Sequence, residues 1–307
     1  MLRYIAQRLL HAIPVLFGVS LITFTLTYLL PADPARMYAG PNATIATVNS
    51  IRHQLGLDRP FYEQYLFYIG RVLTGDLGFS YKLQMPVGAA IMARFPYTLQ
   101  LTAGGIFFEL LLGLPIGLIS ALRQGTWIDR VSMLFVFFAL AAPPFWLGLM
   151  LLYFAAFKAG WFPIGGTGTI WHLILPALAA GMGGAAWYAR LMRSSALDVI
   201  RADYVRTARA KGLRESSVVL RHILRNAILP IITLIGLDIP WFLSGVVLIE
   251  AVFAWPGLGK LAVDAVRNVD VPLILGTVLF TALIVVASNI VTDLLYAFVD
   301  PRIRYGE

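Results

Sequence analysis

Residues 9–32 read LLHAIPVLFGVSLITFTLTYLLPA and contain no Asp, Glu, Lys or Arg. The hydrocarbon core of a bilayer is about 30 Å thick and takes roughly 20 apolar residues of helix to cross. This stretch is long enough, and it exceeds the apolar core of about 7–15 residues in a cleavable signal peptide. Arg3 and Arg8 before it and the small residues from Pro31 to Ala35 after it imitate such a leader, so length decides for an uncleaved anchor spanning Leu9–Leu30. Five more segments reach spanning length: Thr98–Leu122, Val131–Phe157, Trp171–Ala189, Ala227–Ile249 and Pro272–Thr292. Lipid offers the backbone no hydrogen-bond partner, so segments this long must be helices. The expected fold is therefore an all-α integral membrane protein with about six transmembrane helices. Proline at 115, 143, 144, 176 and 240 is expected to kink or locally break them.

Composition agrees. With 59% hydrophobic and 13% charged residues over 307 positions, the chain has too little polar surface to cover a water-soluble globule. The net charge of +8 does not point to nucleic acid, because basic residues interleaved with apolar runs mark the loops that stay in the cytoplasm. Fifteen of the 24 Lys and Arg fall on one side of the six-span map. They are Arg3 and Arg8, Arg123 and Arg130, Arg302 and Arg304, and nine between the fourth and fifth spans: Arg190, Arg193, Arg201, Arg206, Arg209, Lys211, Arg214, Arg221 and Arg225. Both termini and that loop are thus assigned to the cytoplasm. The absence of cysteine excludes disulfides, thiolate metal sites and a cysteine nucleophile.

The loop from about Pro31 to Pro96 is too long for a simple connection and is expected to form a small helical domain on the outer surface. Asp58 is placed to cap a helix with Pro60 in its first turn. Phe61, Tyr65, Ile69 and Leu73 run along one face, and Gly75 ends it. These aromatics suit either packing against the membrane surface or docking a ligand.

Residues 197–230 read LDVIRADYVRTARAKGLRESSVVLRHILRNAILP. Asp203 stands at an N-cap position and Gly212 at C′, with Lys211 at the negative end of the dipole, which delimits a helix of about two turns. Ala208 and Ala210 keep its surface small, so another protein could approach closely. A second helix can start at Ser216 or Ser217, with Arg221 and Arg225 forming a basic stripe before Pro230. Physics alone leaves two uses open: holding topology against anionic lipid, or contacting a partner.

The segment Tyr204 to Gly212, YVRTARAKG, followed by His222, Leu224 to Ala227 and Pro230, resembles the cytoplasmic coupling motif of permeases in ABC importers, in particular the dipeptide, oligopeptide and nickel class. The broad importer pattern Glu-Ala-Ala-x3-Gly falls on Arg206, Thr207, Ala208 and Gly212, with Arg in place of the acid. HLILPAL at 172–178, ARLMRSS at 189–195, LGLDRP at 55–60, GDLGFS at 75–80, VFAWPGLG at 252–259 and DLLYAFVDPRIRY at 293–305 resemble the same branch. Asp238 to Phe242 departs from its neutral, glycine-rich pattern. The span and loop lengths divide the chain into 1–30 as N-terminus and first span, 31–96 as an external, periplasmic-side domain, and 97–307 as the permease core with a coupling loop at 190–226. The resemblance implies a membrane-spanning subunit of an ATP-driven peptide importer in the inner membrane, coupled through residues 203–230. The implied coupling residues are Asp203, Tyr204, Arg206, Thr207, Ala208, Arg209, Lys211 and Gly212. The implied partners are a second homologous permease chain, two ATP-binding subunits or one fused pair, an external solute-binding protein and membrane lipid.

The chain offers no nucleotide site of its own. Ala254 stands where a phosphate loop needs its first glycine, and Leu261 stands where it needs Ser or Thr after Gly259-Lys260. HExxH and GxSxG motifs are absent, and His11, His53, His172 and His222 lack ligand spacing. We therefore expect no enzyme, no metal and no bound cofactor, with ATP and magnesium on a partner. Glu109 and Asp238 are the charges inside the predicted spans, where isolated charge costs several kcal/mol. They suit either a solute path that attracts a peptide amino terminus or a hydrogen-bonded acid that fixes helix packing.

Overall fold

The computed structural model describes residues 2–29, 33–40, 42–54, 56–244 and 246–299. Leu30, Pro31 and Ala32, Leu55 of LGLDRP, Arg302 and Arg304, and the C-terminal string from Asp300 onward lie outside the described residues. In chain order the elements are α1 (Leu2–Tyr28), α2 (Pro34–Ala39), α3 (Ile45–Gln54), α4 (Phe61–Leu73), the strands β1 (Phe79–Ser80) and β2 (Met85–Pro86), α5 (Val87–Leu122), α6 (Trp127–Ala141) and α7 (Pro144–Leu151). A π-helical stretch, Leu152–Lys158, precedes α8 (Ile170–Ile200), α9 (Asp203–Ala210) and α10 (Glu215–Ser217). A second, Val218–Leu224, precedes α11 (Arg225–Ala227), α12 (Leu229–Leu243), α13 (Val247–Val252), α14 (Leu258–Arg267) and α15 (Val271–Val299).

Among the described residues four helices are long and apolar enough to cross a membrane, and up to six crossings result if each of two bent pairs counts as one. The expected span Val131–Phe157 is one of these pairs: Trp127–Ala141 and Pro144–Lys158 meet at 107°. The cause is local. Proline disfavours helical backbone in the residue before it, and Ala142 (ψ 128°) and Pro143 (ψ 135°) are extended. The other pair is Glu215–Ala227 with Leu229–Leu243, which meet at 41°, so the expected span Ala227–Ile249 starts at that bend, and it is interrupted again where α12 stops at Leu243 and α13 begins at Val247. Pro115, Pro176 and Pro240, by contrast, lie within continuous helices.

The chain divides into two compact units, 1–97 with 257–290, and 98–256 with 291–307. In the first unit, Leu21 and Phe24 of α1 pack against Phe61, Tyr65, Tyr68 and Ile69 of α4 and Val271 and Leu275 of α15. The Phe24 ring lies 5.4 Å from Tyr65 and 5.5 Å from Phe61 in edge contacts, and Tyr65 shares a 2.8 Å hydrogen bond with Ser20. Most of the expected α4 face therefore packs onto α1, while Leu73 is 82% exposed. Phe67 and Tyr68, with Tyr38, Tyr81 and the paired Arg71 and Asp76, line a cavity of ≈ 240 Å³.

Asp58 does not cap α4. It bonds His53 Nδ1 at 2.6 Å, and Pro60 takes the cap position. Gly75 does end the helix: at φ +84° its N–H reaches the Val72 carbonyl and that of Asp76 reaches Arg71, the paired bonds of a Schellman turn. Buried Asp270 organises the β hairpin, accepting from the Ser80 hydroxyl at 2.5 Å and the Lys82 N–H at 3.2 Å, while its second oxygen accepts from Leu273 N–H in the first turn of α15.

The second unit is built on α5 and α8. Side-chain burial supplies no driving force between helices in lipid, so close backbone approach and interhelical polar contacts must supply it. A Cβ added to Gly113 would lie 2.6 Å from the Ala185 carbonyl oxygen, and one on Gly117 2.3 Å from that of Ala189. A Cβ on Gly181 would lie 2.5 Å from the Gly105 oxygen. Positions 105, 109, 113 and 117 thus face 181, 184, 185 and 189, a four-residue stripe on each helix. The α12 segment joins through Thr292, whose hydroxyl donates to the Gly236 carbonyl at 2.7 Å.

Gly117→Ala is expected to lower stability by about 1–3 kcal/mol through overpacking. Gly183→Ala, whose added Cβ meets nothing within 4 Å, is expected to be neutral or stabilising by about 0.4–1 kcal/mol. Apparent melting temperatures of the detergent-solubilised variants check both.

Candidate functional site

Helix α8 runs eleven residues past the expected end of its span, to Ile200. Nothing between Ala189 and Ile200 breaks a helix, so Arg190 and Arg193 sit on α8 and not in a loop. The chain turns through Arg201 and extended Ala202 (ψ 145°) into α9. Asp203 is the first residue of α9 rather than its N-cap, which is Ala202 without a side-chain bond. Its carboxylate still lies at the positive end of the dipole and approaches Arg206 at 3.6 Å. The other end matches expectation. Gly212 has φ +74°, and the N–H groups of Gly212 and Leu213 reach the carbonyls of Arg209 and Ala208. Arg209 then holds Glu215 through two bonds of 3.2 and 2.7 Å.

At about 100° per residue, positions three apart share a face of α9. Val205 and Ala208 form the inner one, both buried against Tyr188, Met192 and Ala196 of α8, Val218, Ile223, Ala227 and Ile231 of the following segment, and Ala121 of α5. The sequence reading took Ala208 as a contact for another protein. At 5% exposure it belongs to the chain's own core, and the small residue facing outward is Ala210. Tyr204, Arg206, Thr207, Arg209, Lys211 and Gly212 are exposed with it. The next helical run starts at Glu215, one residue before the expected Ser216, and passes through a π-helical stretch, and Arg221 and Arg225 are both exposed.

Glu109 is buried on α5, and its position requires Gly184, where a Cβ would lie 1.6 Å from Oε1. Its Oε2 has no hydrogen-bond partner among the described residues. The carboxylate of Asp238, on α12, accepts a hydrogen bond from the Tyr188 hydroxyl. Both acids thus bear on one turn of α8, Gly184 to Tyr188.

One polar cluster was not singled out from the sequence. Arg193 donates from Nε and Nη2 to the two carboxylate oxygens of Asp129, each at 2.9 Å, and from Nε to Ser120 at 3.0 Å. The Ser120 hydroxyl donates to Asp129, as does the Gly125 N–H at 3.0 Å. Spacing held the signal: Ala186, Ala189 and Arg193 lie at i, i+3 and i+7, which places Arg193 on the α8 face that meets Val136 and Ala139 of α6. Among the nine basic residues between the fourth and fifth spans, the sequence alone marks it only as a topological charge.

A family model described as binding-protein-dependent transport system inner membrane component matches residues 113–305, and its companion for the N-terminal part of such components matches residues 1–102. The glutathione transport system permease protein GsiC of Escherichia coli (strain K12) is 43% identical over 305 residues, covering 99% of this chain and all of the relative. GsiC of Shigella boydii serotype 4 (strain Sb227) is 42% identical over the same length. Among solved structures, an inward-facing MetNI methionine ABC transporter chain aligns with TM-score 0.54 at 17% identity, covering 69% of this chain and 96% of that one. A chain of an amino acid ABC transporter aligns with TM-score 0.50 at 16% identity, covering 68% and 93%. These structural likenesses concern the fold.

Ala208→Arg is expected to cost at least about 3 kcal/mol by forcing an unpaired charge into the core, whereas Ala210→Arg should stay within about 0.5 kcal/mol of the parent. Thermal unfolding, together with the rate of proteolysis between residues 201 and 225, distinguishes the two.

Proposed function

The chain belongs to the binding-protein-dependent transport system inner membrane components and is a permease of an ABC importer, and from that premise we propose that it carries short peptides across the inner membrane. In this reading a second homologous permease chain completes the path, and an external solute-binding protein delivers the solute. ATP and magnesium are held by two separate ATP-binding subunits or one fused pair, and α9 and both termini face the cytoplasm. The peptide class is supported by the relatives named for glutathione, itself a tripeptide, and by the acids at positions 109 and 238.

The observation that carries the coupling role is the division of α9 into two faces. Its inner face is continuous with the core of α8 and α5, and its outer face presents Tyr204, Thr207, Ala210 and Lys211. A helix built this way can rest in a cleft of an ATPase and pass the movement of that cleft to the spans. Closure of the ATPase pair on ATP would then bias a bundle with two stable arrangements, which is what alternating access requires.

Glu109 and Asp238 are read as attracting the amino terminus of the solute. A second reading, that they fix helix packing, is favoured by the Tyr188 hydrogen bond to Asp238 and by the fit of Glu109 against Gly184. Asp238→Asn decides between them. On the path reading, uptake of peptides with a free amino terminus falls about tenfold, equivalent to ~1.4 kcal/mol, with little change for amino-blocked peptides. Unchanged uptake and preference would remove Asp238 from the path.

The chain's lack of cysteine makes the coupling test direct. In the assembled transporter, Ala210→Cys paired with a cysteine in the ATPase cleft is expected to crosslink with a yield that depends on nucleotide. No crosslink in any nucleotide state would overturn the assignment.

A further inference from the structure

We propose that Asp129, Ser120 and Arg193 form a latch that makes the loop-side ends of α5, α6 and α8 move with α9 as one body, so that Arg193 is a positioning residue for coupling. This rests on the reading of α9 as the contact with the ATPase.

Helix α8 has two buried faces near its loop-side end. Tyr188, Met192 and Ala196 share one buried cluster with Val205 and Ala208 of α9 and with Val218 and Ile223 of the π-helical stretch that packs against both helices, whereas Ala186 and Ala189 meet α6 through Val136 and Ala139, with Ile116 of α5 alongside. Arg193 continues the second face where that apolar packing stops. Each of its contacts pins a different piece of chain: Asp129 at the start of α6, Ser120 near the end of α5, and, through Asp129, the Gly125 N–H in the turn between them. Asp129 is buried, and its side chain is 8% exposed against 26% for Arg193.

This chemistry differs from simple packing. A planar guanidinium that meets both carboxylate oxygens fixes direction as well as distance, which an ammonium on a flexible stem does not. Removing one member leaves the other charged and poorly solvated, so the latch has one good geometry and no inexpensive intermediate. Force entering at Val205 and Ala208 reaches α8 through the shared core, and the latch passes it on to α5 and α6. Without the latch, α8 and α9 answer the ATPase while α6 stays behind.

The test uses the full transporter in lipid nanodiscs or vesicles with its ATPase subunits and binding protein. The double variant Asp129→Asn, Arg193→Met removes both charges together, which leaves no buried unpaired ion. It is expected to assemble, to keep the Ala210→Cys crosslink and to hydrolyse ATP, while solute carried per ATP falls about tenfold, within the usual range of coupling between sites. Arg193→Lys is expected to give an intermediate ratio. A wild-type ratio in an assembled double variant overturns the latch. If the double variant fails to assemble, Arg193→Lys decides, and a wild-type ratio there overturns it. Absence of the crosslink in the parent transporter would instead overturn the reading of α9, which separates the two failures.

Discussion

The backbones of α5 and α8 touch, and most of what is distinctive in the second unit depends on that contact. Gly113 and Gly117 meet the carbonyl oxygens of Ala185 and Ala189 at distances that exclude even a methyl group. In hydrocarbon, apolar side chains gain little by leaving lipid for protein, so helices hold together by van der Waals fit and a few polar contacts. The small-residue stripe supplies the fit. It also sets the spacing for everything attached: Glu109 fills the notch at Gly184, and Arg193, one turn beyond Ala189, comes within reach of Ser120 and Asp129.

Helix α9 inherits this rigidity. A free helix of eight residues is marginal in water, yet α9 is closed at one end by the Gly212 turn, tied to the next helical run by Arg209 and Glu215, and anchored by Val205 and Ala208 in a core shared with α8 and the segment that follows it. Its inner face is therefore part of the membrane bundle's own core. Its outer face is left with polar and small groups.

Much of this was legible in the residues. Uncharged runs gave the membrane helices, and Gly212 gave the end of α9, because both rest on constraints that act locally: backbone hydrogen bonding in lipid and positive φ at a helix terminus. What escaped needed partners distant in sequence. Ala208 and Ala210 look alike on paper, and only the position of Met192 and Ile223 makes one of them interior. Asp58 is a sound cap until His53 competes for it. Arg193 reads as a topological charge until Asp129, on another helix, arrives opposite. The length of α8 escaped for a different reason: charge marks where a helix leaves hydrocarbon, and says nothing of where it stops being a helix.

The corner at Ala142 and Pro143 can also be regarded as a question of donors and acceptors. The last turn of α6 ends with carbonyls that have no intrahelical partner, while the first turn of α7 is short of N–H groups, since Pro143 and Pro144 carry none and Trp146 N–H already turns back to Pro143. The corner is therefore rich in acceptors and poor in donors. Hydrocarbon cannot supply what is missing. A group that brings N–H or O–H donors of its own is therefore the one that matches this corner.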